Sequence, residues 1–187
     1  MNVDNSYYCY KGARNYVHST EIFNSIIFGL AYGDQKNIDF SLSTQLKNEW
    51  ELTSIKPVGE VQVVGYFKLA KTTFYILETT NPVSRRVVDK EQSILDASMI
   101  EAASISIPFG SIGCTAIEGI VSGFKLLLQN EVYKETMKKY LFMRVTLKYI
   151  PDESVTVLFK RRFGKKFLEG EIFCKEVQIG KIYFIDE

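Results

Sequence analysis

The stretch GCTAIEGIVSGFKLLL, from Gly113 to Leu128, decides the fold of this chain. Its large apolar residues recur at steps of three and four, which places them on one face of an α-helix. These residues are Ile117, Ile120, Val121, Phe124, Leu127 and Leu128. Gly119 and Gly123 share a second face. Because glycine weakens an exposed helix by about 1 kcal/mol relative to alanine, this pair indicates close packing against another backbone. The stretch predicts a long, mostly buried helix that runs to about Asn130 or on to Lys139.

Glu118 lies near the start of this predicted helix, among apolar residues. A buried carboxylate is costly unless a partner or a reaction makes use of it. Ser122, Lys125 and Gln129 fall on roughly the same side of the helix, which favours a solvated position instead. Both interpretations stay open at this level: Glu118 is either a functional acid or a residue that faces water.

Length and composition fit a globular protein with one large domain or two small lobes. The chain has 187 residues, of which 46% are hydrophobic and 24% charged, and its formal net charge is +1. So small a net charge gives no indication of nucleic-acid or membrane-surface binding. No stretch is long enough to span a membrane, and the opening MNVDNSYYCY has no secretory signal. We therefore expect neither nucleic acid nor membrane as a partner.

The three cysteines, Cys9, Cys114 and Cys174, have neither CxxC nor Cys/His spacing, and their number is odd. This pattern argues against a zinc site and against a disulfide framework. We expect no metal, no cofactor and a reducing, cytoplasmic setting.

A local cluster of basic residues lies near the end of the chain. It is either a charged hairpin tip or a docking spot for a phosphate, such as that of phosphopantetheine or the nucleotide of coenzyme A. The cluster consists of Lys160, Arg161, Arg162, Lys165 and Lys166.

The chain repeats one pattern of elements twice, although the letters do not repeat. In the first half, Ser6 to Lys11 predicts a strand, Ser19 or Thr20 can cap a helix that Gly33 ends, and antiparallel strands follow. In the second half, a strand around Ser104 to Pro108 precedes the long helix, and alternating segments follow it. Residues 83–104 are expected to be a connector, or to hold a short helix. We expect two units, residues 1–85 and 86–187.

Two features of the second half carry a family resemblance. Gly113 and Glu118 stand five residues apart, like the glycine and glutamate of a G-V-L-x-x-E-A pattern at the start of a central helix. The tail from Arg144 to Phe184 is similar in its proline-containing turn, its Val-rich strand and its final strands. From Ser104 to Phe184 the chain resembles a hot-dog unit of the β-hydroxyacyl thioester dehydratase type, and the first half looks like a diverged copy.

The resemblance implies the fold class α+β: a double hot-dog, with two antiparallel sheets that each wrap a central helix. It also implies an acyl-CoA or acyl carrier protein as the partner, and a possible homodimer. A lipocalin-like single barrel is the alternative fold. One departure concerns the dehydratase histidine, because its position is near Ser104 here and the single histidine of the chain is His18. Since the family histidine and acid come from opposite units, His18 and Glu118 could meet across the pseudo-dimer.

The resemblance assigns chemistry to these residues. Glu118 and His18 would be catalytic, removing an α-proton and returning it to a β-hydroxyl leaving group, which is dehydration or hydration. Gly113 and Cys114, at the helix N-terminus, would bind the thioester carbonyl together with Ser122. Ser122 is equally a packing residue. An apolar tunnel between sheet and helix would take the acyl chain. The alternatives are thioester hydrolysis by Glu118 alone and a non-catalytic protein that binds acyl chains or a protein partner.

Overall fold

The computed structural model describes residues 8–30, 36–59, 61–132 and 139–186. The chain divides into two compact units, Met1–Asp89 and Lys90–Glu187. Most of the described secondary structure is antiparallel strand, with few helices. In each unit the longest helix buries its apolar face against strands of the same unit.

The first unit combines one α-helix with an antiparallel sheet. Four strands form this sheet in the order β3-β5-β4-β2, whereas β1 pairs in parallel with β6. The described elements are β1 (Cys9–Lys11), α1 (Ser19–Gly29), β2 (Lys36–Leu42), β3 (Asn48–Thr53), β4 (Val63–Leu69), β5 (Thr72–Pro82) and β6 (Arg85–Val87).

Aromatic packing holds α1 against this sheet. The alternation of apolar and polar residues in β2 turns Phe40 into the core, as expected for a strand with one buried face. The ring of Phe23, on α1, meets Phe40 and Phe67 edge to face, with 5.6 Å between ring centroids in both pairs. Such edge-to-face pairs stabilise the fold by more than the burial of their apolar area alone. The helix is therefore fixed to β2 and β4.

The second unit also combines α-helix with an antiparallel sheet, and its sheet has more strands. Its strands are antiparallel, in the order β9-β12-β11-β10-β8-β7. The described elements are α2 (Glu91–Ala97), β7 (Met99–Glu101), β8 (Ser104–Ile107), α3 (Ala116–Leu127), β9 (Tyr140–Tyr149), β10 (Val155–Phe163), β11 (Phe167–Cys174) and β12 (Val177–Asp186).

Helix α3 contacts strands across most of the width of this sheet. Phe124 packs on Phe184 of β12, with 5.4 Å between ring centroids, and on Gly170 of β11. Gly123 of the same helix lies against Ile107 of β8. The strands from β12 to β8 would span about 14 Å if the sheet were flat, whereas a helix is about 10 Å wide. These contacts therefore indicate that the sheet curves around α3.

Both long helices begin at residues other than those the sequence suggested. Helix α3 begins at Ala116 after Thr115 as N-cap, because Gly113 has a φ of +63°, which is not helical. In the first unit His18 is the N-cap, and Ser19 and Thr20 lie inside α1. The expected caps were wrong because a histidine is rarely the residue that accepts the first helical N–H.

The helix ends differ as well. Helix α3 passes into a π-helical turn, Leu128–Val132, so the helical segment reaches past Asn130. Helix α1 ends at Gly29, and Gly33, the expected end, lies outside the described residues. Residues 83–104 hold the short helix α2 rather than only a connector. Ser6 and Tyr7 of the predicted first strand also lie outside the described residues.

The ladder between β12 and β9 gives a test of the packing. A Cβ at Gly180 would lie 2.0 Å from the backbone oxygen of Thr146. Because this oxygen belongs to the neighbouring strand, Gly180→Ala should lower the free energy of unfolding by about 1–3 kcal/mol in urea titrations. Gly110→Ala is the matched control, since nothing lies within 4 Å of its Cβ position, and it should change stability by less than about 0.5 kcal/mol. Equal stability of the two variants would contradict this close approach of strands.

Candidate functional site

The N-terminus of α3 is built as a capping box. The backbone N–H of Glu118 donates to Thr115 Oγ1 at 3.3 Å, and the backbone N–H of Thr115 donates to Glu118 Oε2 at 2.8 Å. The Thr115 hydroxyl lies 3.2 Å from the same carboxylate oxygen. Reciprocal bonds of this kind satisfy backbone donors that a helix start otherwise leaves without partners. They also hold the carboxylate in one orientation.

Glu118 is buried, with 6% of its surface exposed. The sequence left open whether this residue faces water, and the structure shows that it does not. Ser122, one turn further along, is buried as well. Lys125, the next polar residue on this side, is bound by Glu91 of α2, with 2.8 Å between Nζ and Oε2. Helix α2 therefore covers the side of α3 that looked solvated in the sequence.

Gly113 and Cys114 form the turn that leads into α3. The Cys114 N–H donates to the Phe109 carbonyl at 3.3 Å, and its thiol lies 3.7 Å from the same oxygen. The amide that was expected to bind a thioester carbonyl thus has an acceptor within the chain. The Gly113 carbonyl accepts a hydrogen bond from Lys90 Nζ. Lys90 was not singled out from the sequence, because the contact spans 23 residues.

His18 belongs to a buried polar cluster at the N-terminus of α1. Its Nδ1 lies 2.8 Å from Thr20 Oγ1 and accepts from the Thr20 backbone N–H at 3.4 Å. Lys11, on β1, reaches Thr20 Oγ1 at 3.4 Å and pairs with Glu21 at 3.2 Å. Sequence reasoning missed Lys11, Thr20 and Glu21 as members of one cluster. The available signal was a lysine in an aromatic strand, a few residues before the polar run HSTE.

The thiol of Cys9 closes this cluster on its other side. It donates to Glu21 Oε2, with 3.7 Å between sulfur and oxygen. Burial, and after it the charge and hydrogen bond of the Glu21 carboxylate, raises the pKa of the Cys9 thiol to about 11. Since the thiolate is the nucleophile, Cys9 is unsuited to nucleophilic chemistry near neutral pH.

His18 lies in the first unit and Glu118 in the second. Each has its own set of partners, described above, within its own unit. The expectation that the two side chains meet stays a prediction.

Side chains pack closely against α3 at its two glycines. A Cβ at Gly119 would lie 3.1 Å from Ile107 and 3.2 Å from Phe109, and a Cβ at Gly123 would overlap Ile107 at 2.3 Å. The two glycines allow close packing, but the groups that approach them are side chains and not the backbone that the sequence suggested. An acyl tunnel along this face of α3 would require the side chains of β8 to move.

A cavity of about 390 Å³ lies elsewhere in the second unit, at one end of β10 and β11. None of its lining residues was singled out from the sequence. They are Ser154, Thr156, Phe173, Lys175 and Glu176.

The basic cluster forms part of the β10–β11 hairpin and is largely paired with acids. Arg161 and Arg162 bind Glu169 and Asp186, each at 2.7 Å, and Lys160 lies 3.5 Å from Glu171. Burial alone would raise the pKa of Glu169, but hydrogen bonds from Lys181 and Arg161 hold it below its usual value. These pairs favour the charged hairpin over a phosphate-docking spot.

Neither a metal cluster nor a membrane helix is found in the part of the chain that the structure describes. No group of three or more His, Cys, Asp or Glu side chains converges there. The described helices are also too short or too polar to cross a bilayer.

Comparison with known proteins gives structural neighbours only. No protein-family model matches the sequence, and no curated protein matches it. A protein described as a thioesterase II from Thermobifida fusca is similar, with 6% identity, 94% of this chain and 88% of that chain covered, and a TM-score of 0.48. The tesB protein of Mycobacterium avium subspecies paratuberculosis has 8% identity, 92% and 88% coverage, and a TM-score of 0.47.

A third neighbour is a monomeric dehydratase domain from a trans-AT polyketide synthase split module. It has 12% identity, 91% and 88% coverage, and a TM-score of 0.39. The first of these proteins is described as a thioesterase and the third as a dehydratase domain. At these identities almost every side chain differs, so the neighbours assign no role to any residue of this chain.

The capping box can be tested by stability measurements. Thr115→Ala removes the side-chain acceptor for the Glu118 N–H, and should lower the free energy of unfolding by about 1 kcal/mol. Thr115→Ser keeps the hydroxyl and should stay close to the parent chain in urea titrations. If the alanine variant is as stable as the serine variant, the capping box does not stabilise α3.

Proposed function

We propose that this protein processes acyl thioesters and is built from two hot-dog units, of which the second carries the acid. The observation that carries the proposal is the start of α3. There, a buried glutamate follows a glycine of positive φ at the spacing of the dehydratase motif, under a curved antiparallel sheet. The two compact units, Met1–Asp89 and Lys90–Glu187, are consistent with hot-dog units near the expected boundary of 85 and 86.

The chemistry follows from the position of Glu118 at a helix N-terminus. Aligned peptide dipoles make this end of α3 favourable for negative charge, such as the charge that develops on a thioester carbonyl oxygen. Two contacts from Thr115 orient the carboxylate at Oε2. A carboxylate oriented in this way can take an α-proton from an acyl group or direct a water molecule to the thioester carbon. Dehydration or hydration is the primary assignment, with hydrolysis as the alternative.

Gly113, Cys114 and Ser122 are proposed to lie along the path of the substrate. Gly113 has no side chain that would obstruct an approaching thioester, and Ser122 lies one turn from Glu118 on the same helix. The acyl carrier, coenzyme A or a carrier protein, is proposed from the resemblance, as is a possible homodimer. The cytoplasmic setting stays a prediction.

A second candidate function has an observation in its favour. The capping box gives Glu118 a structural role that is sufficient to explain its burial. At Gly119 and Gly123, the side chains of Ile107 and Phe109 lie against the helix. Both features fit a hot-dog protein that binds acyl thioesters or a protein partner without turning them over.

The substitution Glu118→Gln separates chemistry from capping. Glutamine at the third helical position can still accept from the Thr115 N–H, so the fold should be retained. If Glu118 is the acid or base, turnover of 3-hydroxyacyl-, enoyl- or acyl-coenzyme A should fall by about 10²-fold or more. The measurement follows hydration by loss of the enoyl absorbance, and hydrolysis by release of free thiol.

The matched control is Glu91→Gln, which removes a carboxylate that binds Lys125 on the same helix. This variant should keep the turnover of the parent chain. Unchanged turnover in Glu118→Gln would reject the catalytic role of this residue. Melting shifts of the parent chain with acyl thioesters, without any product, would favour the binding protein instead.

A further inference from the structure

Two phenylalanines at the β10–β11 hairpin are exposed on the outer face of the second unit's sheet. Phe163 and Phe167 lie opposite each other in the ladder and stack, with 5.3 Å between ring centroids. They are 38% and 43% exposed. Successive residues of a strand point to opposite faces, and Gly170 of β11 lies against Phe124 of α3. The two rings therefore form an apolar spot on the face of the sheet opposite α3.

Basic side chains around these rings expose their charge although each is paired with an acid. Arg161 and Lys181 both bind Glu169 at 2.7 Å. Their side chains are 64% and 40% exposed, whereas that of Glu169 is 3% exposed. Lys160 is 52% exposed and lies 3.5 Å from Glu171, which is 14% exposed. In these ion pairs the carboxylates lie beneath the surface, and the cations face the solvent.

Positive charge is concentrated in this region. Lys165 and Lys166, in the turn of the hairpin, are exposed as well. With the three paired cations they make five positive charges, and Glu169 and Glu171 contribute two negative ones, which leaves an excess of three. The whole chain has a net charge of only +1. The two phenylalanine rings and these five basic side chains together form what we call the aromatic-basic patch.

We propose that the aromatic-basic patch is the docking surface for an acidic protein partner. Carboxylates of the partner would meet the exposed cations, and an apolar side chain of the partner would cover the phenylalanine rings. Protein interfaces commonly have an apolar, aromatic centre within a polar rim of complementary charge. Because Glu169 already holds Arg161 and Lys181 in place, less side-chain entropy is lost on binding. This surface is independent of the proposed function, since no residue at the start of α3 belongs to it.

The arrangement of the rings favours a protein over single-stranded nucleic acid, which binds basic surfaces by stacking its bases on aromatic side chains. Phe163 stacks on Phe167 with 10° between the ring planes, and the Arg161 guanidinium lies over the Phe163 ring, 5.8 Å from its centroid. Tyr183 meets Phe163 edge to face. Groups of this chain thus already occupy positions from which a base would stack on Phe163, whereas the exposed ring edges can contact an aliphatic side chain.

The probe for this surface is a synthetic peptide with leucines at its centre and glutamates on both sides. In a ¹H–¹⁵N NMR titration of the intact chain, we expect saturating shifts of the backbone amides of Arg161 to Glu169 and of Lys181. Replacing the glutamates by glutamine, or the leucines by serine, should weaken binding by about tenfold or more, because charge and apolar contact both contribute. Shifts that do not saturate, or equal affinity for the three peptides, would overturn the proposal.

Charge reversal in the hairpin turn tests the same surface from the side of the protein. Lys165→Glu combined with Lys166→Glu should weaken binding of the leucine–glutamate peptide by about tenfold or more. The matched control is Lys56→Glu combined with Lys71→Glu, which reverses two exposed lysines of the first unit and changes the net charge equally. It should alter the affinity by less than about twofold. An equal loss in both double variants would mean unspecific attraction and would contradict a docking surface.

The apolar contact is tested by Phe167→Ser, which should weaken binding of the peptide by about tenfold. Val177→Ser is its control, since Val177 is likewise exposed in the second unit, at the start of β12, and it should leave the affinity unchanged. If Phe167→Ser does not fold, the lysine reversals decide. Tighter binding of a thymidine oligonucleotide or of phosphatidylserine vesicles than of the peptide would overturn the proposal. So would a dimer in sedimentation equilibrium that the reversal of Lys165 and Lys166 abolishes.

Discussion

The close approach of α3 to its sheet is the constraint on which the second unit depends. Gly119 and Gly123 let the helix backbone lie against Ile107 and Phe109, and the ring of Phe124 on α3 packs against Gly170 of β11. Packing at this density leaves little freedom to shift the helix along its axis. The N-terminus of α3 is therefore fixed, and Glu118 is buried with it. Because a buried carboxylate needs partners, the capping box with Thr115 follows from the same constraint.

The long helices of the two units have a glutamate at the same position in their first turn. In α3 the third helical residue is Glu118, and in α1 it is Glu21. Glu118 turns back to the Thr115 N–H and closes a capping box. Glu21 pairs instead with Lys11 of β1, while the His18 side chain accepts a backbone N–H as the Thr115 side chain does.

Much of the fold could be predicted from periodicity, because strands such as β2 and β8 have one buried face and α3 has an apolar face of helical spacing. Residues of positive φ stand at the turn between β4 and β5, at Ala70, and at the tip of the β10–β11 hairpin, at Gly164. The rest depended on contacts between distant residues. The parallel pairing of β1 with β6 joins residues about 76 positions apart, as in Cys9 with Arg85. No local sequence pattern indicates such a long-range strand pairing.

The burial of Glu118 could not be predicted for the same reason. Its side of α3 is polar in sequence, and α2, whose Glu91 binds Lys125, packs on this side of the helix. Likewise, Lys11 of β1, which contacts the Thr20 hydroxyl beside His18, belongs to a strand that no local pattern relates to the start of α1. The candidate residues themselves were found from spacing, but their hydrogen bonds required the structure.

In the proposed function, acyl thioesters are recognised at the N-terminus of α3. The most direct measurement is a ¹H–¹⁵N NMR titration of the intact chain with a non-hydrolysable acyl-coenzyme A analogue in which a thioether replaces the thioester. We predict that the backbone amide signals from Thr115 to Gly119 shift with saturation. Saturating shifts confined to the cavity lined by Ser154, Thr156 and Phe173, with none at the start of α3, would contradict it.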